Sequence, residues 1–312
     1  DGSSWNWLIT GYMEKGHYIH GFSLYGEMQR NQNLKLSPYT YVAMLQACIA
    51  LKDVQMGSSI HAEICRISLS ESDIFIATTL VDMYSKCGVL SKAQKILREL
   101  SIRDITSWSA LIGGYAHEGK GHEAIRCFHE MQREGISPDA VTFTCILKAC
   151  GRIGCIENGK KMHHEIISTG LLEEDFMLGT PLADMYVKCG ELGKAENVLD
   201  ELPVRDVVSW NALISGYAQE GYCDEALNSF QHMVYEGLYP NEITFTGVLS
   251  ACSHSGKTNE AQAFYDSMIT KYRISPNLEH DTCMVVTLGC AGLLEKAVSV
   301  IKTLPSSHDP SV

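Results

Sequence analysis

The strongest constraint on this chain is an internal repeat with a period of 102 residues. Segments 104–138 and 206–240 match along their whole length, and both carry Ser-Trp, Leu-Ile, Gly-Tyr-Ala and Glu-Gly in the same places. The Lys-Cys-Gly sequence that begins at Lys86 recurs at Lys188 with the same offset. Repetition of this kind indicates a chain built from equivalent modules that stack on their neighbours, without one central pocket.

Each period divides into three shorter units of about 35, 36 and 31 residues. Internal periods of about 20 to 50 residues are typical of stacked repeat arrays. We therefore expect a single array over residues 1–312. Its repeats are predicted at 2–37, 38–73, 74–104, 105–139, 140–175, 176–206, 207–241, 242–277 and 278–309.

Each unit has the pattern of two helices. In the unit 207–241, apolar residues recur at helical spacing in two stretches, which are Leu213, Ile214 and Tyr217, then Ala226, Phe230 and Met233. Gly221 lies between the stretches, and Gly237 and Pro240 follow the second one, as expected where helices end. No alternating pattern favours a strand. The sequence therefore predicts an all-α fold, an α-solenoid of tandem helix-turn-helix repeats.

The 12 cysteines do not form a metal-binding or disulfide motif. None belongs to a C-x-x-C pair, and Cys48, Cys150 and Cys252 follow Ala at equivalent places in the repeat. Small residues with this periodicity favour buried packing positions. We therefore expect no metal site, no cofactor and a reducing compartment.

Two His-x-Glu sequences, beginning at His61 and His163, match half of a zinc deaminase site. They are 102 residues apart, and no Pro-Cys-x-x-Cys accompanies them, so the repeat explains them better than catalysis does. The sequence also has no phosphate-binding loop, nucleophile elbow or dinucleotide fingerprint. We expect that the chain is not an enzyme. No apolar run of about 18 residues predicts a membrane span.

The repeat residues resemble those of a known family. The sequence Asp-Val-Val-Ser-Trp-Asn-Ala-Leu-Ile-Ser-Gly-Tyr at 206–217, the Asp-Glu-Ala-Leu…Phe…Met…Glu-Gly-Leu-x-Pro that follows it, and the cycle of repeat lengths resemble the plant P-L-S class of pentatricopeptide repeat proteins. The resemblance implies a right-handed superhelix that acts as a monomer, binds single-stranded RNA and works in a mitochondrion or chloroplast.

Most members of this class select cytidines for editing to uridine, and a separate deaminase-like domain carries out the chemistry. The resemblance implies such a domain either in cis, beyond this fragment, or in trans. The chain begins at Asp1 inside a repeat, so we expect a fragment whose targeting segment lies outside it. Residues 310–312 resemble the start of a C-terminal extension.

The resemblance also implies one RNA base per repeat, with the protein N-terminus at the RNA 5′ end. The fifth and last residues of a repeat choose the base, and the second residue stacks on it. Positions 2 and 5 lie one turn apart on the first helix and share a face, so a polar side chain can meet a base edge while an apolar one packs on base faces.

Carried over by position, three pairs resemble guanine readers: Thr78 with Asp104, Ser109 with Asp139, and Thr180 with Asp206. Asn211 with Asn241 resembles a pyrimidine reader, and so does Asn6 with Ser37. The first repeat carries an extra residue and its Pro38 falls late, so Tyr39 is the alternative closing residue there. Thr246 with Asn277 suggests adenine, and Thr282 with Asp309 suggests guanine. Val42 with Asp73 and Thr144 with Asp175 belong to the long repeats, which follow the code poorly in this family.

Two further sets of residues follow from the same alignment of repeats. The apolar residues at the stacking position are Phe75, Val141, Met177, Val208 and Ile243. The cations at position 13, where the family places phosphate contacts, are Lys86, Arg152 and Lys188. For each of these residues the alternative is ordinary: a core position for the apolar ones, and a solvated surface position for the cations.

The formal net charge of −12 runs against nucleic-acid binding in general, because phosphate neutralisation usually supplies much of the affinity. A local groove that is basic, with the acids on the outer faces, would reconcile the two. The alternative function is a protein-binding adaptor resembling tetratricopeptide repeats. Its repeats should keep a constant length of about 34 residues, whereas the repeat length here cycles through three values.

Overall fold

The computed structural model describes residues 2–30, 36–67, 74–174, 178–202 and 205–303. The described residues form helices joined by short turns, and no strand occurs among them. The all-α fold predicted from the repeat is therefore confirmed. Five sequence predictions lie outside the described residues, and they concern Asp73, Asp175, Met177, Asp309 and residues 310–312.

The chain divides into two compact units, Asp1–Ala149 and Cys150–Val312, with the boundary inside one helix. The helices that begin in the first unit are α1 Gly2–Glu14, α2 Tyr18–Arg30, α3 Pro38–Leu51, α4 Val54–Arg66, α5 Ile74–Lys86, α6 Leu90–Glu99, α7 Ile105–His117, α8 Gly121–Arg133 and α9 Ala140–Arg152. Those of the second unit are α10 Ile156–Ser168, α11 Leu171–Glu174, α12 Gly179–Lys188, α13 Leu192–Glu201, α14 Val207–Gln219, α15 Cys223–Tyr235, α16 Glu242–His254, α17 Thr258–Thr270, α18 Leu278–Cys290 and α19 Leu294–Thr303.

Within each unit the helices pack in two layers. In the first unit α1, α3, α5 and α7 contact one another in sequence, and α2, α6 and α8 pack against α1, α5 and α7. In the second unit α12, α14, α16 and α18 form the equivalent row, backed by α13, α15, α17 and α19. The second helix of one repeat also contacts the first helix of the next, as α6 does with α7. This nearest-neighbour packing is what defines a helical repeat array.

The sequence explains where the helices begin and end. Asp206 caps α14 by accepting from the backbone N–H of Ser209 at 2.8 Å. After α14 the chain turns at Gly221, whose φ of +80° lies in the left-handed region that favours glycine. The predicted inward residues are buried, with Phe230 7% exposed and Met233 fully buried. The helix-turn-helix reading of unit 207–241 is confirmed.

A repeated cluster of three side chains joins consecutive repeats. Trp210 donates its indole N–H to Glu236 at 2.9 Å, and Arg205 pairs with the same carboxylate at 3.3 Å while lying over the indole ring. Trp108, Glu134 and Arg103 form the same cluster 102 residues earlier. The cluster fixes the end of one repeat to the second helix of the next. It explains why Ser-Trp is among the strongest features of the repeat.

The three cysteines that follow Ala occupy packing positions as predicted, whereas Cys65 and Cys290 are exposed. Cys48, Cys150 and Cys252 are free and fully buried, and burial raises the pKa of each thiol to about 12. Such thiols stay protonated at neutral pH and are poor nucleophiles.

The two His-x-Glu sequences also serve packing. His61 hydrogen-bonds the Tyr84 hydroxyl at 3.1 Å, and His163 bonds Tyr186 at 2.8 Å. Within the described ranges, no group of three or more His, Cys, Asp or Glu residues converges as a metal site would require. No helix in that part of the chain is both long and apolar enough to cross a bilayer.

The close approach of α5 and α7 predicts a strong effect of adding one methyl group. A Cβ atom at Gly114 would lie 2.8 Å from Ser85 Cβ and 3.2 Å from Ser85 Cα, a backbone atom that cannot move aside. We expect Gly114→Ala to lower the free energy of unfolding by about 1–3 kcal/mol. The measurement is the urea midpoint of the purified chain.

The control for this prediction is Gly11, which is exposed on α1 with nothing within 4 Å of a built Cβ. Gly11→Ala should leave the midpoint unchanged or raise it, because alanine favours helices over glycine by up to about 1 kcal/mol. Equal midpoints for the two variants would show that α5 and α7 do not pack as closely as described.

Candidate nucleic-acid interface

A groove lies along the row of first helices in the first unit. Its volume is about 590 Å³, and side chains from α3, α5, α7 and α9 line it. Among its walls are six residues that the sequence predicted for RNA contact: Phe75, Thr78, Lys86, Asp104, Ser109 and Val141. The structure therefore brings together, in one cavity, residues that were assigned separately to base reading, stacking and phosphate contact.

The residues at the predicted stacking position are apolar yet exposed. Phe75 is 76% exposed, and Val141, Val208 and Ile243 are between 60% and 62% exposed. Each is the second residue of a first helix, namely α5, α9, α14 and α16. The alternative that these residues belong to the core is wrong for all four. Recurrent exposed apolar side chains at one place in a repeat are available for contact with base faces.

Most of the predicted base-reading residues at position 5 are less exposed than the residues at the stacking position, although Thr282 is exposed. Ser109 is 8% exposed and Asn211 is 5% exposed. The Thr78 hydroxyl oxygen is buried, and no described group lies within hydrogen-bond distance of it. Only a small part of each of these three side chains is open to solvent. A base must therefore approach edge-on, between the exposed apolar residues, to reach them.

The last residue of a repeat caps the first helix of the next one. Asp104 accepts from the Ser107 backbone N–H at 2.9 Å, Asn241 accepts from Thr244 at 3.0 Å, and Asn277 accepts from His280 at 3.1 Å. Ser37 caps α3 in the same manner. Capping commits one side-chain oxygen of each residue and satisfies helix donors that would otherwise lack a partner. In Asp104, Asn241 and Asn277 it leaves the second polar atom of the side chain for another contact, whereas the single hydroxyl of Ser37 also contacts the Thr40 hydroxyl at 2.8 Å.

Several of the predicted pairs are in contact. The Thr180 hydroxyl lies 3.4 Å from Asp206 Oδ1, and Asn211 donates from Nδ2 to Asn241 Oδ1 at 3.0 Å. Asn6 accepts from the backbone N–H of Ser37 at 3.0 Å.

Ser109 reaches Asp139 through the Thr142 hydroxyl, which lies 2.6 Å from Ser109 and 2.7 Å from Asp139. These contacts join the end of one repeat to its own fifth residue.

Two further predicted reading residues bond to their own helices, and Asp309, the predicted partner of Thr282, lies outside the described residues. Thr246 donates to the Glu242 carbonyl at 3.1 Å, and Thr282 donates to the Leu278 carbonyl at 2.6 Å, one turn earlier in their own helices. Their roles as readers of adenine and guanine therefore stay predictions.

The predicted phosphate contacts carry ion pairs within their helices. Lys86 pairs with Asp82 at 2.9 Å and Lys188 with Asp184 at 2.6 Å, while Arg152 is exposed at the end of α9. Sequence analysis missed a further cation, Lys52, which lines the groove and donates to the Lys86 carbonyl. The repeat does not mark Lys52, because Gly154 and Gly256 occupy the equivalent places 102 and 204 residues later.

Two other kinds of residue were missed. Tyr39 is the second residue of α3 and is 64% exposed, so it occupies the stacking position of its repeat, and its hydroxyl donates to Glu14 at 2.9 Å. This hydrogen bond to Glu14 raises the pKa of Tyr39. The repeat count contained the signal for Tyr39, but its place beside the late Pro38 obscured it. Thr142, whose hydroxyl joins Ser109 to Asp139, was also missed. A Thr three residues after a capping Asp is common at helix starts, so the sequence alone did not single it out.

Comparison with known proteins agrees with the repeat pattern. Residues 1–50, 103–152 and 205–254 match the PPR repeat family, and residues 75–105, 141–171, 180–207 and 243–272 match the PPR repeat. The chloroplastic pentatricopeptide repeat-containing protein CRR2 of Arabidopsis thaliana is 37% identical over 99% of this chain and 47% of its own length. A mitochondrial relative from the same plant is 32% identical over 98% of this chain and 44% of its own. The chain thus spans somewhat less than half the length of these relatives.

Solved structures show the same fold. The crystal structure of PPR10 from maize has a TM-score of 0.78 at 19% identity, covering 97% of this chain and 43% of that chain. PPR10 in complex with an 18-nt psaJ RNA element has a TM-score of 0.57 at 20% identity, covering 88% of this chain and 46% of that one. The repeat matches, the similar sequences and the fold agree, and the chain belongs to the pentatricopeptide repeat family.

Proposed function

We propose that this chain is a sequence-specific module for single-stranded RNA that reads one base per repeat. The observation that carries the proposal is the groove of the first unit, where Phe75 and Val141 expose apolar surface beside the polar pair Thr78 and Asp104. Stacking surfaces next to hydrogen-bonding groups are what recognition of unstacked bases requires. A structure of PPR10 bound to RNA, which shares this fold, supports the same function.

The net charge of −12 is compatible with this function. Lys52 and Lys86 bring positive charge to the groove, but Asp82 and Asp104 line it too, so the groove of the first unit is not basic as expected. Lys95 and Glu99, on the second helix α6, pair with each other in solvent. The arrangement places most of the specificity in base contacts, with a small contribution from phosphates.

The finer function that we propose is the choice of a cytidine for C-to-U editing in a plant mitochondrial or chloroplast transcript. The cycle of repeat lengths supports it, and so do relatives named as chloroplastic and mitochondrial. In this scheme the chain acts as a monomer, and a deaminase domain in cis or in trans performs the reaction. A plant line that lacks the full-length protein should then lose conversion at a cytidine adjoining the bound sequence.

Selection from a randomised RNA pool tests the binding function. We expect the purified chain to enrich, from 5′ to 3′, a pyrimidine, any base, G, G, any base, G and a pyrimidine, followed by A and then G with lower enrichment. The reason is the order of the residue pairs along the chain. The same pool annealed to complementary strands should show no enrichment, because paired bases hide the edges to be read.

Absence of G enrichment at the third, fourth and sixth places would overturn the assignment of pairs to bases. Absence of any RNA binding would instead favour the protein-binding adaptor that paired helices also permit.

A further inference from the structure

At five junctions between consecutive repeats the third residue of the following first helix bears a hydroxyl, and these five junctions are of two kinds. Thr40, Thr142 and Thr244 occupy this place in α3, α9 and α16, and Ser107 and Ser209 occupy it in α7 and α14. All five hydroxyl-bearing residues are fully buried. Their hydrogen bonds nevertheless differ systematically between threonine and serine.

At the junction of Ser109, the hydrogen bonds have only one possible direction. Thr142 contacts Asp139 Oδ1 at 2.7 Å, and because a carboxylate can only accept, the Thr142 hydroxyl proton must point there. Ser109 lies 2.6 Å from the same threonine oxygen and must therefore be the donor in that contact. With its proton committed, the Ser109 oxygen can only accept a hydrogen bond from a ligand.

At the junction of Asn211, the threonine fixes an amide. The backbone N–H of Thr244 donates to Asn241 Oδ1 at 3.0 Å, so the oxygen of Asn241 faces inward and requires donors. Asn211 therefore presents Nδ2 to Asn241 at 3.0 Å, and its Oδ1 accepts from the Thr244 hydroxyl at 2.6 Å. Thr40 makes the equivalent bond to Asn6 Oδ1 at 2.9 Å.

At the serine junctions the hydroxyl does not reach the fifth residue. Ser107 and Ser209 each donate to the backbone carbonyl of the capping aspartate, Asp104 or Asp206, at 2.8 Å. The Thr78 hydroxyl is then without a partner among the described residues, and Thr180 reaches only Asp206 at 3.4 Å. Whether these two hydroxyls donate or accept a hydrogen bond is therefore determined weakly, in Thr180, or not at all, in Thr78.

We propose that the threonine at the third position of the following helix is a positioning residue for base recognition. It acts through the fifth residue by fixing which of its atoms donate and which accept, and the inference rests on the proposed RNA-binding function. At the fourth place, Ser109 is preset as an acceptor. It suits the N1–H of guanine and opposes the N1 of adenine, which itself accepts. Without Thr142 the Ser109 proton could rotate outward and donate to adenine.

The test compares affinities for two RNA pairs that differ only in G or A, one pair at the fourth place and the other at the third. Thr142→Val keeps the branched shape and removes the hydroxyl. We expect it to reduce the G-over-A ratio at the fourth place by about fivefold to tenfold, the effect of one hydrogen bond. The ratio at the third place, read by Thr78 and Asp104, should not change. Ser107→Ala is the control, because the buried hydroxyl that it removes bonds only the backbone of Asp104 and does not reach the fifth residue, Thr78.

The reciprocal variant adds the missing hydrogen bond. Ser107→Thr should raise the G-over-A ratio at the third place by about threefold to fivefold, by connecting Thr78 to the junction. This variant keeps the test decisive even if Thr142→Val fails to fold, which thermal melting of each variant will show.

An unchanged ratio at the fourth place in folded Thr142→Val, or an equal fall at both places, would overturn the proposal. So would an unchanged ratio at the third place in Ser107→Thr. A wild-type chain without base preference at any place would instead overturn the proposed function, so the two failures are distinguishable.

Discussion

Replacing Thr180 by Asn, with Asp206 retained, is expected to change the preferred base at the sixth place from G to U. The Thr180 hydroxyl lies 3.4 Å from Asp206 Oδ1, and the neighbouring Ser209 is engaged with the backbone, so the substitution breaks no threonine link. An amide brings N–H donors to a position where a hydroxyl stood, and these suit the carbonyl oxygens of uracil. One good base contact discriminates by about 1–3 kcal/mol, so the ratio should change by roughly tenfold or more.

Titration of four RNAs that differ only at the sixth place measures this change. The matched control is Thr144→Asn, the same substitution at the fifth residue of a long repeat. Because long repeats follow the code poorly in this family, the control should leave the preference at the fifth place unchanged. Retention of G by Thr180→Asn, or a comparable shift in the control, would show that the fifth residue does not choose the base.

The sequence was sufficient to predict the fold because the features that determine it are local and repeated. Gly221 ends a turn, Asp206 caps a helix, and Phe230 and Met233 face inward, and each of these features recurs with the period of the repeat. The exposed residues at the stacking position were likewise predictable from register, since a difference of one residue along a helix turns a side chain by about a quarter of a turn. Phe75 at 76% exposure shows the register clearly.

The candidate site was less predictable where one residue type serves two purposes. An Asp at the end of a repeat looks the same in sequence whether it caps a helix or reads a base, and Asp104 shows that it caps. A hydroxyl at the third helical position can bond the backbone of the capping residue, as in Ser107, or the fifth residue of the preceding repeat, as in Thr142, and the choice depends on side-chain geometry. Lys52 lies beside Lys86 because α3 packs against α5, and this contact could not be read from the sequence around Lys52.

Binding to a preferred RNA is expected to depend only weakly on salt. Three cations occupy the predicted phosphate position, namely Lys86, Arg152 and Lys188, which gives about three phosphate contacts. Two of these cations also pair with acids of their own helices, Lys86 with Asp82 and Lys188 with Asp184. For single strands the slope of log K against log salt is about −0.7 per contact, which predicts a slope of about −2. Raising the salt from about 50 to about 200 mM should then weaken binding by about 16-fold, because base contacts carry most of the affinity.

Two lysines with similar local pairing separate the groove from the rest of the surface. Lys86 and Lys95 each pair with an acid four residues away on the same helix, but Lys86 lines the groove whereas Lys95 lies 75% exposed on α6. Lys86→Ala should make the slope shallower by about 0.7, and Lys95→Ala should leave it unchanged. Equal effects of the two variants, or a wild-type slope near about −6 with little base preference, would mean that a diffuse basic surface binds the phosphates. In that case the exposed apolar residues and the capped pairs beneath them would not be the site of recognition.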